Sequence, residues 1–282
     1  MDVATVSKLI TSSQPKHRFW RGPTLALLGL SLLVGALWAA PQSPPGVFGW
    51  LLPQLLVVGV IVTIHHGTVR QRRADQLLQQ AIEAVQLQQW ADAETAITQL
   101  LASAVRQQLA RTQALLGLVA IAQARHAYEA AQHVCRYILD HGLGSVLQQH
   151  TAQVSLAASL LRTDQITDAV NLIDRLSKQD LPPQLRAQVE LLSLFREVTM
   201  GHTETSLETA DERAELFRKH LGTRAAYGYG LLAAAFDRTG QPQTARHHWH
   251  NATLLVPPAR LVDRFPELQT ISQQYPAAEY PL

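Results

Sequence analysis

Apolar and polar positions divide the chain into three kinds of stretch. Between Arg21 and Arg70 there is no Asp, Glu, Lys or Arg. Two apolar runs fill that interval, Pro23 to Ala40 and Val47 to Ile64, separated by the turn-forming sequence Pro41-Gln-Ser-Pro-Pro-Gly46. As helices each run is about 27 Å long, against a bilayer core of about 30 Å. The pattern predicts a transmembrane hairpin. A cleaved signal peptide is disfavoured, because Ala40 is followed by proline and a second apolar run comes at once. From Asp75 to Pro257 the pattern changes. Apolar residues recur at three- and four-residue spacing, the mark of amphipathic helices. Breaks fall at Gly142, Pro182-Pro183, Gly201, Gly222 and Gly240, residues that suit helix ends and starts. In the last stretch, Ala259 to Gln274, Leu261, Val262, Phe265, Leu268 and Ile271 predict a segment that caps the helices before it.

The helices come in pairs that repeat. In Tyr227 to Pro257, Tyr229, Leu232, Ala233 and Phe236 lie on a first helix and Gly240 at a turn. Ala245, Trp249, Ala252 and Pro257 follow on a second helix. This stretch resembles the tetratricopeptide repeat family, whose pattern occupies these positions. Weaker copies precede it. Leu77, Ala81 and Ala84 stand before Trp90, Ala93, Ile97 and Leu100. Leu115, Val119 and Ala122 stand before Tyr128, Ala131, Cys135 and Ile138. Leu156, Ala157 and Leu160 stand before Ile166, Ala169, Ile173 and Leu176. The fourth copy, with Leu191, Leu194, Phe195 and Val198 before Leu207, Ala210, Ala214 and Phe217, lacks the small residue of the first helix. Its packing is the least determined. The small anchor moves from Ala93 to Ala131 to Ala169, a longer step than the family's, which predicts longer helices or turns.

The expected fold is therefore all-α. An N-terminal two-helix transmembrane hairpin is followed by an α-solenoid of about five tetratricopeptide-like helix pairs. The expected divisions are a basic segment 1–22, the hairpin 23–64 (runs 23–40 and 47–64), a basic linker 65–74, the repeat domain 75–258, and a capping segment with a loose tail, 259–282.

Charge adds orientation. The 282-residue chain has formal net charge +2. Seven of its 24 Lys and Arg and one of its 22 acids precede Asp75, leaving 17 basic and 21 acidic residues in the remainder. Basic residues flank both apolar runs, so the positive-inside rule predicts a multi-pass protein of the plasma (inner) membrane with N- and C-termini cytoplasmic. Arg70, Arg72 and Arg73 are expected to rest on the lipid bilayer surface. Ser31, Gly35 and Ala39 form a stripe of small residues. It suits packing within the hairpin, or a homo-oligomer. The mildly acidic repeat region has no basic stripe for nucleic acid. Cys135 is the single cysteine, and its core position makes it an inert hydrophobe.

Candidate chemistry is sparse. No phosphate-cradling glycine loop, nucleophile elbow or metal motif is present. His247 and His250 share a helix face but have no acidic or cysteine partner nearby in sequence, and with Trp249 in the core the histidines are expected at the surface. Asp164 and Asp168 are read as an N-cap and a dipole partner at a helix start. No catalytic, cofactor or metal site is expected. The family resemblance implies a non-enzymatic adaptor that binds a protein or peptide partner along the face lined by first helices. It implies Leu78, Ile82, Leu116, Val154, Leu161, Tyr227 and Asp237 as groove residues. This mostly apolar set suits an amphipathic helix or the chain's own tail. The alternative is an accessory subunit of a membrane complex that meets its partners through the hairpin.

Overall fold

The structure is a computed structural model that describes residues 3–12, 71–102 and 108–275. All regular elements among the described residues are helical. The chain divides into two compact units, residues 1–130 and 131–282. Each is described by itself.

The first unit begins with helix α1, Val3–Ser12, whose Val6 and Ile10 are buried. Helix α2 occupies 71–86 and α3 is Trp90–Ala102. Helix α4, Gln108–Ala124, follows, and α5, Tyr128–Asp140, carries the chain into the second unit. Helix α1 lies against α3. Helices α3 and α4 approach closely at Gly117, where an added Cβ would come within 2.7 Å of Ile97 Cδ1. Arg125 pairs with Glu94 at 2.6 Å.

The second unit continues with α6 (Val146–Arg162), α7 (Ile166–Ser177), α8 (Pro183–Met200), α9 (Thr203–Glu208), α10 (Ala210–His220), α11 (Ala225–Arg238) and α12 (Pro242–Leu255). Two short helices end it, α13 (Pro258–Arg264) and α14 (Gln269–Gln274), with a 3₁₀ turn at Pro266–Leu268 between them. Helix α6 starts on a capping box that spacing alone did not reveal. The Ser145 hydroxyl accepts from Gln148 N, and the Gln148 side chain accepts from Ser145 N at 3.0 Å.

The repeat is written most clearly in the turns inside the pairs. Each has one residue in the left-handed region: Gln88, His126, Asp164, Gly201 and Gly240, with φ of 58°, 56°, 56°, 78° and 74°. The amide one residue later closes back on the first helix. Gln89 N donates to Ala84 O, Ala127 N to Ala122 O, Gln165 N to Leu160 O, His202 N to Glu197 O and Gln241 N to Phe236 O, all at 2.8–3.1 Å. This is a Schellman-type closure that satisfies carbonyls at a helix end. The anchors Ala93, Ala131, Ala169 and Ala245 are each fully buried. The long step between copies goes into the helices: α4 and α6 have 17 residues each, while the turns stay short.

Several expectations change. Asp164 is the left-handed turn residue rather than an N-cap; that place belongs to Gln165, which makes no side-chain cap bond. Asp168 does lie in the first turn of α7. The second helix of the fourth copy is broken in two at Thr209. Tyr275, expected in a loose tail, is 4% exposed.

The expected location is also corrected. Among the described residues no helix is long and apolar enough to cross a membrane, which contradicts a multi-pass plasma-membrane protein with cytoplasmic termini. The physical reasons are charge and length: α8 has 18 residues but carries Arg186, Glu190, Arg196 and Glu197. The most apolar described helix in the second unit, α11, has 14 residues, about 21 Å against a core of about 30 Å. The runs 23–40 and 47–64 lie outside the described residues, as do Arg70, Ser31, Gly35 and Ala39. Arg72 and Arg73 are exposed at the start of α2.

Candidate functional site

Helix α11 is the centre of the second unit. Ala225, Ala226 and the whole stretch from Gly228 to Phe236 are buried. A helix can be buried on so many sides only where neighbours come close, and two glycines one turn into it make the room. A Cβ on Gly228 would meet the Phe217 ring at 2.2 Å, and one on Gly230 would meet Leu268 Cδ1 at 2.9 Å. Phe217 belongs to the preceding pair. Leu268 belongs to the C-terminal segment, so that segment is keyed into a dent on a first helix.

The rest of the segment extends the contact. Leu261, Phe265, Leu268, Ile271 and Tyr275 are all at most 6% exposed, one stripe at three- and four-residue spacing. Phe265 stands edge-on to Phe195 of α8, with ring centroids 5.0 Å apart, and tilts against Tyr227 of α11 at 5.6 Å. Against both phenylalanines lies the guanidinium of Arg162, the last residue of α6. Its Cζ is 4.4 Å from the Phe195 centroid and 4.6 Å from that of Phe265. A cation on an aromatic face is attracted by the ring quadrupole. The same guanidinium donates to the Arg264 carbonyl and stands 3.7 Å from the Glu267 carboxylate, an ion pair without a hydrogen bond. At the far end the Tyr275 hydroxyl donates to Asp237 Oδ1 at 2.7 Å. This bond, with some burial, holds the Tyr275 phenol above the ordinary tyrosine range. The Arg246 guanidinium lies 5.7 Å from the Tyr275 ring centroid.

First helices α6, α8 and α11 thus share one face, and the chain's own segment from Pro258 to Tyr275 covers it. Of the expected groove residues, Tyr227 and Asp237 come together here. Val154 and Leu161 are each 5% exposed on α6. Leu78, Ile82 and Leu116 are half-buried in the first unit. Sequence reasoning missed Arg162, Phe195 and Gly230. A signal for the last was available: two glycines within three residues of a helix interior cost about 1 kcal/mol each and call for a close neighbour.

The histidine cluster divides. His247 and His250 are exposed, and His247 lies 3.1 Å from Asn251 Nδ2. His248 is 7% exposed, against the expectation of a surface position. Its ring stacks on Phe236, with centroids 5.1 Å apart and planes at 4°, and Tyr229 stacks at 6.3 Å. Among the described residues its Nδ1 has no hydrogen-bond partner. Burial lowers its pKa, and neighbouring His247 adds to the effect. Cys135 is fully buried, which pushes its thiol up to about 12 and keeps it protonated. Among the described residues no group of three or more His, Cys, Asp or Glu could hold a metal ion.

Comparison with family models, curated proteins and solved structures finds no match to any of them. The functional reading therefore rests on the geometry of this face and on the repeat pattern.

Proposed function

We propose that the chain is a non-enzymatic scaffold, an α-solenoid of about five tetratricopeptide-like pairs that binds a protein partner on its first-helix face. The ligand is a short helical segment carrying an aromatic ring and an acid. One observation carries this reading: the face formed by Arg162, Phe195, Tyr227, Gly230 and Asp237 already holds such a segment, its own. The contacts are of a recognition type. A ring sits beside a guanidinium, a leucine fills a dent, a carboxylate faces an arginine, and a hydroxyl meets a carboxylate. Helix-in-groove binding uses such anchors at three- and four-residue spacing.

The test is selection of peptides from a random displayed library on the full chain, followed by affinity measurement against variants. Peptides selected in this way are expected to lose about tenfold or more on Tyr227→Ala or Asp237→Arg, which remove a central aromatic anchor or reverse a charge. They should be unchanged by His247→Ala with His250→Ala on the other helix of the pair. Peptides indifferent to Tyr227 and Asp237 would place docking elsewhere and sink the reading.

A further inference from the structure

We propose that Pro258–Tyr275 is a built-in ligand of this face, a strap that a partner peptide of the same chemistry displaces. The inference rests on the docking reading above and names what the docked segment looks like: an aromatic residue, an acid two positions on, and a leucine three positions on, as in Phe265, Glu267 and Leu268.

The reach of the segment is the first argument. A segment that only closed a stack would cover the last pair, α11 and α12. This one extends back over α8 through Phe195 and over α6 through Arg162, a residue 102 positions before the carbonyl it bonds. The second argument is its polar content. Closing an apolar end needs only apolar residues. Here a cation, an acid and a hydroxyl are each matched across the contact, and matched charges set register and choice of partner.

The third argument is how the segment is built. Helices α13 and α14 have 7 and 6 residues, too short to persist in water without docking. They follow an extended joint, with Val256 at φ −143°, ψ 133° and Pro257 at φ −55°, ψ 141°. Its order is therefore supplied by the face, and it can leave as a unit while α11 and α12 stay paired. Tethering gives it an effective concentration of order millimolar, so an outside peptide binds only through the fraction of molecules whose strap is open.

The experiment titrates a fluorescein-labelled peptide with the sequence of residues 258–275 into the full chain and reads anisotropy. Two released chains are compared with the unaltered one, Glu267→Lys and the double variant Phe265→Ala with Leu268→Ala. Each released chain is expected to bind the peptide at least about tenfold more tightly, because its face is open more of the time. Adding Arg162→Glu to either should abolish the gain. A peptide carrying Glu267→Lys should recover binding to the Arg162→Glu chain. Circular dichroism checks that helicity is kept. Should the double variant lose it, Glu267→Lys decides the matter, since that side chain is part-exposed and lies outside the apolar stripe of Leu261, Phe265, Leu268 and Ile271. A helical Glu267→Lys chain that binds no better than the unaltered one overturns the strap. So does binding that ignores Arg162. If library-selected peptides still bind through Tyr227 and Asp237 while the 258–275 peptide does not, the strap alone is overturned and the docking reading stands. If neither binds there, both fall.

Discussion

The pair α11–α12 is closed by small and aromatic apolar residues, whereas the pair before it, α8 with α9 and α10, is tied by charge. In α11–α12, Ala233, Ala234, Ala245 and Ala252 are nearly or fully buried around Trp249 and Phe236. In α8–α10, Arg213 donates two hydrogen bonds to Glu197, at 2.7 and 3.1 Å, and one to Glu190 at 3.3 Å. Arg196 reaches the same Glu197 at 3.6 Å and Asp174 of α7 at 3.2 Å. Burial works against the charge on Arg213, but its bonds to Glu197 and Glu190 outweigh it and hold the guanidinium above its ordinary range. Arg238 of α11 donates to the Val198 carbonyl near the end of α8. One pair fits because its helices are smooth enough to approach. The other has an interrupted second helix and is held by a polar network that must be complete to be favourable. Similar positions in a repeat can thus be filled by different physics.

The two modes should fail differently. Trp249→Ala is expected to cost the most, about 4 kcal/mol in urea unfolding, because its near-complete burial leaves a cavity among residues that cannot follow it. A loss below about 1 kcal/mol would mean that the small residues collapse into the gap. Glu197→Gln should cost about 3 kcal/mol by leaving Arg213 buried and incompletely paired. Replacing both, Glu197→Leu with Arg213→Met, should return to within about 1 kcal/mol of the parent. If the double change is as damaging as the single one, Glu197 and Arg213 do not act as a unit. Gly228→Ala places a methyl in the Phe217 ring and should cost about 2 kcal/mol, an overpacking penalty that Phe217→Leu in the same chain relieves.

Smaller effects sharpen the picture of the apolar pair. His248 has its pKa lowered by burial, so the folded state favours the neutral ring. Its contribution to stability is complete above the free-histidine value of about 6.5 and is lost as pH falls through the depressed folded value. His248→Phe keeps the stack on Phe236, removes an unpartnered nitrogen, and should gain about 1 kcal/mol while flattening that acid loss. Unfolding curves between pH 7 and 4 read both, and an unchanged acid limb would assign the loss to another group. Asp164→Gly should gain least, about 0.5–1 kcal/mol, since glycine adopts φ near +56° without strain. A lowered melting temperature would show that the Asp164 carboxylate contributes something the turn geometry does not reveal.

How far the fold was legible followed from how local each signal is. The helix pairs after Asp75, the glycine breaks and the anchors Ala93, Ala131 and Ala169 all show in the pattern, because 3.6-residue periodicity and left-handed turns act over a few neighbours. The fourth copy was legible only in part. Its pairing depends on Arg213 meeting Glu190 and Glu197 across two helices, and charge spacing along one helix does not reveal that. Of the residues that touch the final segment, Tyr227 and Asp237 were named through the family resemblance, while Arg162 and Phe195 were not. The first sits at a helix end with no periodic mark, and the second reads as ordinary core. His248 was misplaced because its neighbours His247 and His250 are exposed, and a face is decided by packing against Tyr229 and Phe236.

The residue order alone determined that this region is helical, that its helices pair, and roughly where each pair turns, since those outcomes depend on contacts within one or two turns of chain. Tertiary structure decided which polar groups meet and that the final segment lies back across α6, α8 and α11 rather than only closing the last pair. Such choices depend on surfaces brought together from positions as distant as Arg162 and Glu267. The balance of desolvation, ring contact and charge at such a meeting exists only once the helices around it are in place.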